Sequence, residues 1–140
     1  MLWKFTLTSM AAALLICSFA MSVNAKDSLA EREARIGLRP TYQQCINATG
    51  GVNPDMKDCM SVEFAFQDKR LNTAYKKLMG ALGADEKLSL RNEERSWIKH
   101  KDATCSAGDE PGQTDEVTAY DCVVTETAKR AQELEQRIIK

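Results

Sequence analysis

With one histidine in 140 residues, the chain is nearly without the side chain that most often moves protons near neutral pH or ligates metal ions. His100 falls beside the inward stripe of its helix and is expected at the surface. No serine or cysteine stands in a nucleophile motif, and no glycine-rich loop has the spacing that cradles phosphate. There is no C-x-x-C pair, which with a single histidine argues against zinc. The carboxylates are numerous, but no arrangement selects two of them for acid–base work. No catalytic residue, metal ligand or cofactor is assigned, and the chain reads as a binding protein rather than an enzyme. An excess of basic charge is also missing: 19 Lys and Arg stand against 20 Asp and Glu, a net charge of −1, so nucleic acid is not an expected partner.

Long apolar runs are confined to the start. Residues 1–25 carry Lys4, an apolar stretch from about Leu7 to Ala20, and the small-residue sequence Val23-Asn24-Ala25. This is the pattern of a signal peptide cleaved after about Ala25. Ile16 before Cys17 is too bulky for a lipid-attachment site. Without the leader, loss of Lys4 leaves 18 basic against 20 acidic residues, net −2. No integral membrane span is expected in the mature chain, so the protein is expected to be periplasmic or secreted.

Four cysteines follow the leader: Cys45, Cys59, Cys105 and Cys122. An even count in a small exported chain reads as two disulfides, with three possible connectivities. Cys45–Cys59 and Cys105–Cys122 are favoured because each pair brackets one Gly-rich connection. Each would stabilise the fold by about 3 kcal/mol in the chain-entropy view.

The remaining pattern is helical throughout, with neither β-alternation nor an internal repeat. Residues 26–41 form a charged N-terminal arm, either a frayed helix or a loose segment, and residues 42–140 form the folded domain. A short helix is expected over Tyr42 to Ala48. A long one follows from an Asn53 N-cap with Pro54 at its first position to about Leu82. A third runs from an Asp85 cap to about Cys105, and a last one starts at Thr114 or Asp115. In the last helix Val117, Tyr120, Val124, Thr127, Ala131, Leu134 and Ile138 keep a three-four spacing, opposite a polar face with Glu126, Lys129, Glu133 and Arg137. The expected fold is all-α, a small antiparallel helical bundle or hairpin carrying two disulfides.

Two stripes organise it. Phe64, Asp68, Leu71, Tyr75, Leu78 and Leu82 recur at helical spacing, as do Leu90, Glu94, Trp97, Lys101 and Cys105. Folded about Gly83, an antiparallel hairpin sets Leu78 against Leu90, Leu71 against Trp97 and Asp68 against Lys101. An acid facing an amine on apolar stripes would fix register as an ion pair. Tyr75 falls near Glu94, and Asn72 lies one turn from Asp68. The seam is therefore read as a structural polar network of Asp68, Asn72, Tyr75, Glu94, Trp97 and Lys101, with Trp97 as core. The acids Asp109, Glu110, Asp115 and Glu116, in and beside the Gly- and Pro-containing loop after Cys105, form the candidate partner-binding loop.

Taken in order, Cys45, Cys59, Glu63, Asp68-x-x-Leu71-Asn72-x-x-Tyr75, Leu90, Trp97, Asp102-x-x-Cys105, Cys122, Arg130 and Leu134 resemble the N-terminal-domain family of the lysozyme inhibitor LprI. The resemblance covers about residues 42–136. It implies a small, all-helical, secreted or periplasmic protein, usually bacterial, that inhibits host lysozyme. The family pattern favours Gln and Arg where this chain has Glu94 and Lys101. Lys101 keeps its charge but not the bidentate fork, and Glu94 is expected to seek Lys101 or Arg91. The partner is then lysozyme or, as the alternative, another envelope protein served by a structural, adaptor or immunity-type module.

Overall fold

A computed structural model describes residues 28–139. The expected leader, its cleavage point and Cys17 lie outside the described residues. Five helices follow one another: α1 (Leu29–Ile36), α2 (Pro40–Ala48), α3 (Asn53–Ala81), α4 (Ala84–Thr104) and α5 (Gln113–Ile138), with no strand among the described residues.

The described part of the charged arm is helical because it carries its own start and stop signals. Ser28 Oγ accepts from the Glu31 amide at 3.3 Å while the Glu31 carboxylate accepts from the Ser28 amide at 2.8 Å, a reciprocal cap. Gly37 ends α1 at φ 81°, a left-handed backbone that favours glycine, and the Arg70 guanidinium lies where a Cβ would stand. Pro40 then begins α2, since the first helical position needs no N–H. The longer helices start one or more residues earlier than their expected caps. Val52, not Asn53, precedes α3, and the Asn53 side chain instead donates to Gln113 of α5 at 3.3 Å. Acids at the third helical position cap α4 and α5 from within: Glu86 accepts from the Gly83 amide and Asp115 from the Gly112 amide, each at 3.0 Å.

Packing centres on α3 and α5, which run together over most of their length. Two apolar clusters fill the seam. One holds Tyr42, Met60, Val117, Val124 and Ala128; the other holds Leu71, Ala74, Leu78, Leu90, Ala131 and Leu134. Ala74, Ala128 and Ala131 are almost wholly buried, and their small side chains let the two helices approach closely. Two bridges pin the ends, with Cα separations of 5.8 Å for Cys45–Cys59 and 5.4 Å for Cys105–Cys122. Both pairings agree with the sequence reading.

The expected residue pairing between α3 and α4 needs correction. Leu78 and Leu90 do share a cluster, and Trp97 packs at its edge near Leu71. But α4 approaches α5 more than α3, and Asp68 does not meet Lys101. The Lys101 ammonium pairs instead with Asp102 at 3.1 Å, and Asp68 is exposed. A helix that rests mainly on α5 leaves the far half of its α3-facing side open.

Leu134 is fully buried where α4 and α5 meet α3. Leu134→Ala is expected to destabilise the oxidised protein by about 2–5 kcal/mol, read from urea unfolding; a loss below about 0.5 kcal/mol, the range of a surface substitution, would contradict the assignment of this seam as the core.

Candidate functional site

The opening between α3 and α4 is a groove of about 510 Å³. Helical spacing puts Asp68, Leu71, Asn72 and Tyr75 on its α3 wall. The α4 wall carries Arg91, Glu94, Arg95, Trp97, Ile98, Lys101 and Asp102, and the buried Thr127 of α5 reaches it from beneath. All six residues read from sequence as a structural polar network line this one groove, so the structure gathers them around open space, and Asp68 and Lys101 do not pair across it. Their bonds run elsewhere. Asn72 donates to the Asp68 carbonyl one turn back at 2.9 Å. The Lys101 ammonium lies 5.6 Å from the centre of the Trp97 ring. Trp97 is only partly buried, with one side on the core and the other in the groove.

Glu94 pairs with neither Lys101 nor Arg91. It accepts from Arg130 of α5 at 2.9 Å, and Arg130 also donates to Glu133 at 2.9 Å. Arg130 is almost buried. Burial works against its charge, but the hydrogen bonds to Glu94 and Glu133 outweigh this and raise its pKa above the ordinary guanidinium value. Glu93, one residue away, accepts from Arg137 at 2.7 Å and lies 3.6 Å from Arg130. The Arg137 hydrogen bond, opposed by partial desolvation, holds the Glu93 carboxyl below its usual range. These pairs draw α4 onto α5, and Glu94 ties this network to the groove.

A second polar layer was not read from the spacing. Glu63 and Gln67 are fully buried on α3 between the two apolar clusters. Glu63 accepts from the Arg39 amide at 3.1 Å and the Arg39 side chain at 2.8 Å, and Gln67 donates to Glu63 at 2.6 Å and to the Gly37 carbonyl at 2.9 Å. Arg70 completes the layer, donating to the Gly37 carbonyl at 3.2 Å and binding Glu135 through two nitrogens at 3.0 and 2.6 Å. These bonds fasten the α1–α2 corner to α3 and leave no buried side-chain polar atom unpaired among the described residues. The available signal was Glu63, Gln67 and Arg70 repeating at helical spacing. At the neighbouring end Tyr42 donates to Asp121 at 2.6 Å. Burial and then that hydrogen bond raise the tyrosine pKa, and burial followed by the charge of Asp121 raises that of Glu33.

The four loop acids divide in two. Asp115 caps α5 and Glu116 forms an ion pair with Lys57 of α3. Asp109 and Glu110 are exposed, with no hydrogen bond or ion pair among the described residues. Their loop is bounded by Cys105, bonded to Cys122. His100 is exposed, as expected, 3.5 Å from the Thr104 hydroxyl. Among the described residues no helix is long and apolar enough to cross a membrane.

Residues 45–134 match the protein family described as Lysozyme inhibitor LprI. The matched span contains all four disulfide cysteines, both groove walls and the acidic loop. Comparison with curated proteins and with solved structures gives no match.

Because the folded Glu93 carboxyl titrates below its ordinary value near 4.5, its contribution to stability is present above that value and is lost as the pH falls through the lower folded one. The stability difference between wild type and Glu93→Gln is therefore expected to shrink between pH 7 and about pH 3 in urea unfolding. A difference that stays constant over that range would contradict the Arg137–Glu93 assignment.

Proposed function

Because the chain belongs to the Lysozyme inhibitor LprI family, we propose that it is an exported binding protein that inhibits a lysozyme in the periplasm or outside the cell. The observation that carries this reading is the span of the match, which takes in all four disulfide cysteines, both groove walls and the acidic loop. Export is supported by the leader pattern of residues 1–25, and an oxidising compartment by the two bridges.

Lysozymes hydrolyse their glycan with two carboxyl groups in a cleft, so a protein that occludes the cleft stops the reaction without chemistry of its own. Asp109 and Glu110 supply negative charge that no neighbour neutralises, suited to drawing in a cationic enzyme. The Cys105–Cys122 bridge holds the loop's base, reducing the ordering that binding would otherwise require.

The test is cell-wall lysis by a panel of lysozymes mixed with purified, oxidised protein. At least one enzyme is expected to lose activity at micromolar excess of the protein, and a panel without inhibition would overturn the reading. For a sensitive enzyme, Asp109→Asn/Glu110→Gln is expected to slow association by roughly tenfold at low ionic strength, a gap that closes as salt is added. Equal association rates would remove the loop from the encounter.

A further inference from the structure

The α4 helix carries a ladder of like charge. Lys87, Arg91, Arg95 and Lys99 stand four residues apart in succession, which places them along one face over about 18 Å at 1.5 Å per residue. Cations at this spacing repel, and each such pair destabilises a helix by roughly 0.2–0.5 kcal/mol. No acid within the fold pairs with them: among the described residues no side-chain hydrogen bond or ion pair reaches any of the four. The acids nearest the groove are otherwise engaged, Glu94 by Arg130 and Asp102 by Lys101. Asp68 on the opposite wall is the exception, leaving the unpaired charge of the groove at two guanidiniums against one carboxylate.

Arg91 and Arg95 both line the groove, where Trp97 and the exposed Ile98 give it apolar surface. We infer that this ladder and groove form a binding surface for an acidic polypeptide segment, distinct from the loop carrying Asp109 and Glu110. Guanidinium groups take carboxylates through paired hydrogen bonds. In an extended chain, alternate side chains recur about every 6.6–6.8 Å, close to the roughly 6 Å between successive rungs. Acidic side chains on one edge of such a segment meet the ladder while apolar ones on the other edge rest on Trp97 and Ile98. With two unpaired guanidiniums against one unpaired carboxylate, the charge left for a partner here is opposite to that of the loop carrying Asp109 and Glu110, so this surface serves a different partner from the loop, whether or not lysozyme is the loop's target.

The test is fluorescence anisotropy of fluorescein-labelled poly-L-glutamate titrated with the oxidised protein, alongside labelled poly-L-lysine, polyphosphate and phosphatidylglycerol vesicles at matched charge concentration. Saturable, salt-sensitive binding of poly-L-glutamate is expected, with at least tenfold weaker affinity for Arg91→Ala/Arg95→Ala. Both residues are exposed and repel each other, so the double variant is expected to melt at or above the wild-type temperature. Absence of poly-L-glutamate binding, or equal affinity in the double variant, would overturn the site. Equal binding of poly-L-lysine would overturn the charge argument, and equal binding of polyphosphate or the vesicles would overturn the polypeptide assignment.

Discussion

The close approach of α3 to α5 is the constraint on which the remaining structure rests. Alanines at 74, 128 and 131 bring the two backbones together, and Met60, Leu71, Leu78, Val124 and Leu134 fill the space on either side. Glu63 and Gln67 interrupt the apolar filling with a polar layer whose hydrogen bonds are complete. Apolar contact supplies most of the driving force but little directional preference. The polar layer adds direction, because sliding α3 would strand buried groups without partners. The α1–α2 corner is fixed through the same layer, by Arg39 and the Gly37 carbonyl.

Once α3 and α5 are joined, α4 is held by apolar packing at Leu90 and Trp97 and by Glu93 and Glu94, whose ion pairs with Arg130 and Arg137 lead it toward α5. Arg130 matters here because it is nearly buried and hydrogen-bonded to Glu94 and Glu133. A buried guanidinium deprived of its acids would be strongly destabilising, so the bond between α4 and α5 is specific in position. The lean of α4 has two consequences. It opens the groove beside Tyr75 and Trp97, and it leaves Lys87, Arg91, Arg95 and Lys99 without an ion pair among the described residues. At its far end, Cys105 delivers the chain into the loop bearing Asp109 and Glu110 and is held there by Cys122.

Local signals were legible in the sequence; partner choice was less so. Pro54 and the Gly-rich connections announced the helices, although Asp85 and Asp115, read as N-caps, lie inside α4 and α5, and cysteine spacing announced both bridges. The stripe of α5 from Val117 to Leu134 could be read because its inward residues are almost all apolar or small. The pairing of Asp68 with Lys101 failed because a hairpin rule assumes that consecutive helices face each other, whereas α5, arriving later in the chain, is the better partner for α3. Glu94 was seen as an acid in need of a cation, but Arg130 is 36 positions away, beyond the reach of a reading confined to neighbouring turns. Glu63 stood within the resembling motif without an evident role. Its importance lies in the Arg39 amide and side chain, which only the folded corner brings to it.

We propose a protein that works by contact, with the acidic loop as the surface that faces lysozyme and the basic face of α4 as a second, separate surface on the same disulfide-held frame. Hydrogen exchange of the oxidised protein, alone and with a stoichiometric sensitive lysozyme, tests that division most directly. The account predicts new protection across residues 105–116, with the amides of α4 over 87–99 unchanged. Protection concentrated on 87–99, with the loop exchanging as in the free protein, would contradict it.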